Sequence, residues 1–116
     1  MKIAIPYQDG MVFPHFGRSE FFLIAEVEDG KVIAKNIIGN GGNSHGAIAA
    51  YLDGLETDII LCTGMGEPMQ KRMEGFGIDV YMGCQGSAED ILQEYLDGTL
   101  QNNPDIICPC RHDMLA

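Results

Sequence analysis

The side chains best suited to chemistry are three histidines, His15, His45 and His112, and four cysteines, Cys62, Cys84, Cys108 and Cys110. A neutral imidazole presents a ring-nitrogen lone pair and a thiolate presents a soft sulfur. Together they favour zinc, copper(I) and iron–sulfur clusters. Cys108, Cys110 and His112 fall within the five residues "CPCRH". Their C-x-C spacing differs from the C-x2-C of a zinc knuckle, so the segment is either part of a soft-metal site or a tail with chance cysteines. In "VFPHFGRSE", His15 is either a ligand or a turn residue packed between Phe13 and Phe16. His45 is either a ligand or the opening of a helix.

Cys62 ends a continuous apolar run and reads as a buried packing residue. Cys84, in "YMGCQGS", lies between glycines ahead of a helix start, where the dipole favours a thiolate. Gly64 and Gly66, in "TGMGEP", precede another helix, so backbone N–H groups there are candidates to bind an anion. The segment is neither G-x-x-x-x-G-K-[ST] nor a full G-x-G-x-x-G, and as a nucleotide signal it is weak. The sequence shows no paired carboxylates, no nucleophile elbow and no locally recognisable triad. Nothing singles out Asp9, Glu20 or Glu67 as an acid or base, so nothing in the sequence asks for catalysis.

These residues need elements to position them. "KIAIP" alternates as a short strand ended by Pro6. Residues 20–27 and 31–38 read as two more strands, joined through Asp29-Gly30, a strong two-residue hairpin signal. The period then changes. "SHGAIAAYLDGL" places Ala47, Ile48, Tyr51, Leu52 and Leu55 on one helical face, with Ser44 as N-cap. "DIILC" (58–62) is a strand buried on both faces. "GEPMQKRMEGFG" is a helix opened by Pro68, stacked on Met69 and Met73, and stopped by Gly75 and Gly77. Residues 78–82 form the fifth strand. "SAEDILQEYLDG" is a third helix with a capping box, Ser87 to Asp90, and an apolar face of Ile91, Leu92, Tyr95 and Leu96.

The fold class that follows is α/β, a five-stranded mixed sheet of order 3-2-1-4-5 with the second strand antiparallel. Right-handed crossovers put two helices on one face and the third on the other. Loops 7–19, 39–45, 63–67 and 83–87 then leave one edge, where open α/β sheets take ligands. His15, His45, Cys62, Met65 and Cys84 fall on that edge or its rim. Residues 1–100 are expected to form one domain, and 101–116 a Cys/His tail without clear periodicity.

The chain has 116 residues and a net charge of −10. The acidic balance argues against nucleic acid and against an anionic membrane surface, since binders of phosphate usually show a basic stripe. No apolar run approaches the roughly 18 residues of a membrane span. The expected setting is cytoplasmic, where thiols stay mostly reduced.

"MKIAIP", "PHFGRSEFFLIAEVEDGKV", "SHGAIAAYL", "DIILCTGMGEPM" and "GIDVYMGCQGSAEDILQEYLDGTL" together resemble the dinitrogenase iron–molybdenum cofactor biosynthesis family over about residues 1–100. The "HFG" element, the G-x-G before the second helix and the "GS-x-E" start of the third are its most specific parts. The resemblance implies a three-layer ribonuclease H-like fold and a nitrogenase-accessory role in binding or carrying iron–sulfur or iron–molybdenum cofactor precursors. His15 matches the family's histidine in "HFG", and His45 lies where members often have a histidine or cysteine. Cys84 and "CPCRH" are not carried over from the family and rest on their own chemistry.

The expectation is a non-enzymatic protein that binds or carries an iron–sulfur or iron–molybdenum-type cluster. Its partners would be cluster donor and acceptor proteins. His15, His45 and Cys84 would supply the site, with Gly64 and Gly66 on its rim and Cys108, Cys110 and His112 closing it. The alternative is a metal-free protein-interaction or regulatory domain.

Overall fold

The structure is a computed structural model and describes residues 1–43 and 46–100. Its elements in chain order are β1 (Lys2–Gln8), β2 (Met11–Val12), a 3-10 turn (Phe16–Arg18), β3 (Phe21–Glu28), β4 (Lys31–Gly39), α1 (Gly46–Gly54), β5 (Ile59–Leu61), α2 (Glu67–Gly75), β6 (Asp79–Tyr81) and α3 (Ala88–Asp97). The sheet runs β4-β3-β1-β5-β6, with β2 paired to β1. β3 is antiparallel to both β1 and β4, while β5 and β6 run parallel to β1. Setting β2 aside, the strands lie in the order 3-2-1-4-5 expected from the sequence.

Two features correct the expected sheet. It has six strands rather than five, and β1 continues through Pro6 to Gln8. Proline lacks the N–H that an interior ladder needs. Along β1, alternate residues address β3, and Pro6 points its nitrogen and carbonyl the other way. On that side the pairing with β5 ends at Ala4 opposite Ile60. No ladder bond is therefore lost, and the Pro6 carbonyl accepts the Phe13 N–H at 2.9 Å.

The alternation of side chains builds two cores. Ala4, Phe22, Ile24 and Ile60 face α1 and α2, where Ile48, Leu52 and Met73 meet them. Ile3, Ile5, Leu23, Ala25 and Leu61 face α3, where Ala88, Ile91 and Leu92 close over them. Within α1 the buried alanine is Ala49, while Ala47 is exposed, which corrects the expected face by part of a turn. α3 is capped as its sequence predicts: Ser87 Oγ accepts the Asp90 N–H at 3.4 Å, and Gly98 closes the helix at φ 76°. Among the described residues no helix is long and apolar enough to cross a membrane.

Candidate functional site

The edge where β1, β5 and β6 end is shaped by a hairpin that turns β1 back on itself. Asp9 and Gly10 both take positive φ, 50° and 85°, as a tight two-residue turn requires. β2 is held from outside as well as by β1. The Val12 N–H donates to the Gly86 carbonyl at 2.8 Å, and the Ala88 N–H to the Gly10 carbonyl at 3.0 Å. The hairpin is thus fastened to the start of α3.

The chain then enters the segment that carries His15. The His15 carbonyl accepts the Arg18 N–H at 2.9 Å and the Phe16 carbonyl accepts the Ser19 N–H at 3.2 Å, which closes the 3-10 turn. Phe16 is the anchor: it is buried in the α1/α2 core and meets Phe22 edge-on, ring centroids 5.9 Å apart. His15 stays half-buried, its ring 5.8 Å from that of Phe13 and tilted 65°. The His15 ring therefore meets that of Phe13, while Phe16 turns into the core. Ser19 Oγ is buried and has no hydrogen-bond partner among the described residues.

The loop leading toward His45 lies against this segment. Asn40 donates its side-chain amide to the Ser19 carbonyl at 3.0 Å and its backbone N–H to the Glu20 carbonyl at 2.9 Å. Its Oδ1 accepts the Gly42 N–H at 2.9 Å, while its carbonyl accepts from Asn43. Asn40 therefore links the His15 segment to residues 40–43. His45 itself, with Cys108, Cys110 and His112, lies outside the described residues.

Beside His15 opens a cleft of about 210 Å³ lined by Tyr7, Gln8, Phe13, Arg18, Glu20 and Phe21. Phe13 is shared: it walls the cleft and touches the His15 ring. Arg18 and Glu20 give the cleft one charge of each sign. The sequence offers no signal for this grouping, because its residues come from β1, the loop and the first residue of β3.

Cys84 is placed differently from its expectation. It is 1 % exposed and packs with Ile91 and Leu92 in the α3 core. Burial pushes its thiol up from 9.0 to about 11, against a smaller lowering by the backbone at Cys62 and a further rise from Glu94. The structure thus holds a neutral thiol where the helix dipole alone predicts a thiolate. Its Sγ lies 3.7 Å from the Tyr81 carbonyl oxygen, an acceptor that suits the protonated form. Cys62 is buried in the opposite core, as its apolar run predicts.

The neighbouring glycine loop is also drawn inward. Gly64 is buried, and Gly66 caps α2 without a side chain, its carbonyl accepting the Gln70 N–H at 3.1 Å. Thr63 Oγ1 donates to the Cys84 carbonyl at 2.7 Å and ties the two loops together. Among the described residues no group of three or more His, Cys, Asp or Glu is placed to hold a metal ion.

Comparison with known proteins places this geometry in a family. The chain is 32% identical over 106 residues to the uncharacterized protein MJ0580 of Methanocaldococcus jannaschii, covering 87% of this chain and 90% of that protein. The crystal structure of PH0822 superposes with a TM-score of 0.83 at 27% identity, over 90% of this chain and 96% of the other. The apo form of the orange protein from Desulfovibrio gigas superposes with a TM-score of 0.74 at 26% identity, over 88% and 92%. The family that describes dinitrogenase iron-molybdenum cofactor matches residues 1–98. With the match spanning both cores and the His15 edge, the chain belongs to the dinitrogenase iron-molybdenum cofactor family.

Proposed function

We propose that this chain binds or carries an iron–sulfur or iron–molybdenum-type cluster, or its precursor, as cargo and without catalysing a reaction. The observation behind the reading is the position of His15. It stands half-buried at the sheet edge where open α/β folds take ligands, inside the stretch matched to a cofactor family.

The chemistry of the donor set fits such a cargo in part. His15 supplies an imidazole beside a cleft with an aromatic wall. One imidazole does not complete a coordination sphere. The remaining soft donors are assigned to His45 and to Cys108, Cys110 and His112, since Cys84 is buried with Ile91 and Leu92 in the α3 core. Donor and acceptor proteins for the cluster would be its partners.

Elemental analysis of protein purified anaerobically tests the reading. The expected result is iron, with or without molybdenum, near one cluster per chain, and strongly reduced in His15→Ala. Metal-free protein that co-purifies with a stoichiometric protein partner would contradict it.

A further inference from the structure

Phe21 opens β3 and is 46% exposed. Its register explains why. Phe21 stands opposite Tyr7 of β1 on one side and opposite Gly39 of β4 on the other. Directly opposed side chains share a face of the sheet. Phe21 therefore lies beside Tyr7, while Gly39 offers no side chain to cover its other flank. The chain beyond β2 supplies a second apolar wall. The Phe13 N–H donates to the Pro6 carbonyl at 2.9 Å, which sets Phe13 beside the end of β1. Phe13 and Phe21 are thus the phenyl-bearing walls of the cleft of about 210 Å³.

The charged side chains of this cleft differ from others on the molecule. Lys2, Lys35 and Lys71 are paired with Glu26, Glu89 and Glu67. Arg18 and Glu20 line one cleft and flank Ser19, which is extended and buried. In an extended chain, neighbours of an inward residue turn to the opposite side. Both charges are therefore directed outward, toward the cleft. They form no ion pair with each other, and among the described residues neither side chain has another partner.

We infer that this cleft binds a small zwitterion with an apolar body, the chemistry of a free α-amino acid. The ligand's carboxylate meets Arg18, its ammonium meets Glu20, and its body lies against Phe13 and Phe21. A guanidinium and a carboxylate in one cleft are both satisfied only by a ligand that carries both charges. A plain anion, a metal–sulfur cluster included, would set its charge against Glu20 in a chain already at −10. A plain cation would face Arg18. The volume is below the roughly 300–1,000 Å³ of sites for drug-sized ligands, which favours a molecule of amino-acid size. The cleft also lies at the sheet edge where open α/β folds take ligands. Binding here needs no metal and no donor from His15, so it does not depend on the cluster reading.

NMR titration of the full chain with three probes of similar shape tests the site. L-phenylalanine carries both charges, 3-phenylpropionate the carboxylate alone, and 2-phenylethylamine the ammonium alone. The expected result is saturable shifts at the Gln8 side-chain amide and at the Arg18 and Phe21 N–H groups. L-phenylalanine should bind in the millimolar range or tighter, and each single-charge probe about fivefold more weakly, the size that exposed charges allow. Arg18→Gln should weaken L-phenylalanine about fivefold and leave 2-phenylethylamine no weaker. Glu20→Gln should weaken L-phenylalanine equally and leave 3-phenylpropionate no weaker. Unchanged circular dichroism confirms that both variants fold. No saturable shift with any probe overturns the site. Equal binding of the three probes, or of L-phenylalanine by the natural chain and both variants, also overturns it in favour of apolar contact only. Tighter binding of 3-phenylpropionate than of L-phenylalanine overturns it in favour of an anion site.

Discussion

The Cys84 N–H donates to the Cys62 carbonyl oxygen at 3.0 Å, yet the two thiols lie in separate cores on opposite faces of the sheet. Backbone neighbours across a sheet are not side-chain neighbours when their Cβ atoms leave by different faces. Mild oxidation of the folded chain should therefore form no Cys62–Cys84 disulfide, as peptide mapping would show.

The same burial gives Cys84 a pH signature. Its thiol is raised from 9.0 to about 11 in the fold, so the folded state holds the proton that the unfolded chain gives up first. The stabilisation is complete below pH 9 and disappears as pH climbs to about 11, on the order of 3 kcal/mol in all. Urea unfolding at pH 8 and pH 10.5 should show a steeper loss in the natural chain than in Cys84→Ala. Equal losses would mean that the thiol is not buried in the protonated form. Thiol alkylation near neutral pH should be slow until the chain unfolds.

Phe16 is the residue that holds the His15 turn to the core. Phe16→Ala removes a ring buried against Phe22 and should cost about 3–4 kcal/mol by urea unfolding. Phe16→Leu should restore most of it.

Gly41 has φ +65°, and a Cβ there would stand 2.9 Å from Tyr51 Cε1. Gly41→Ala should push Tyr51 away from the Gly39 carbonyl and destabilise the chain by about 1–2 kcal/mol. Gly54→Ala, at a helical glycine with open space around it, is the control and should be neutral or slightly stabilising.

The strand order was legible in the sequence for local reasons. Asp29-Gly30 marks a hairpin, and the helical periods that follow force parallel crossovers. β2 was not legible, because two residues carry no period and its support comes from Gly86 and Ala88, far along the chain. In sequence Pro6 looks like a strand end, because a proline's missing N–H matters only on the side where a strand pairs, which the sequence does not reveal. At the site, His15 was legible through its aromatic setting, but its anchoring by Phe16 was not. Cys84 shows the limit most clearly: the dipole that favours a thiolate is a local property, whereas the desolvation that outweighs it is set by tertiary packing under α3. The cleft of Tyr7, Arg18 and Phe21 was invisible for the same reason.

The central claim is that the His15 edge holds a metal cluster, and anaerobic reconstitution with ferrous iron and sulfide measures it most directly. The natural chain should gain visible charge-transfer absorption and stoichiometric iron. His15→Ala and Cys108→Ser/Cys110→Ser should each take up far less, while Cys84→Ala should match the natural chain. Equal uptake by the natural chain, His15→Ala and the double cysteine variant would contradict the account.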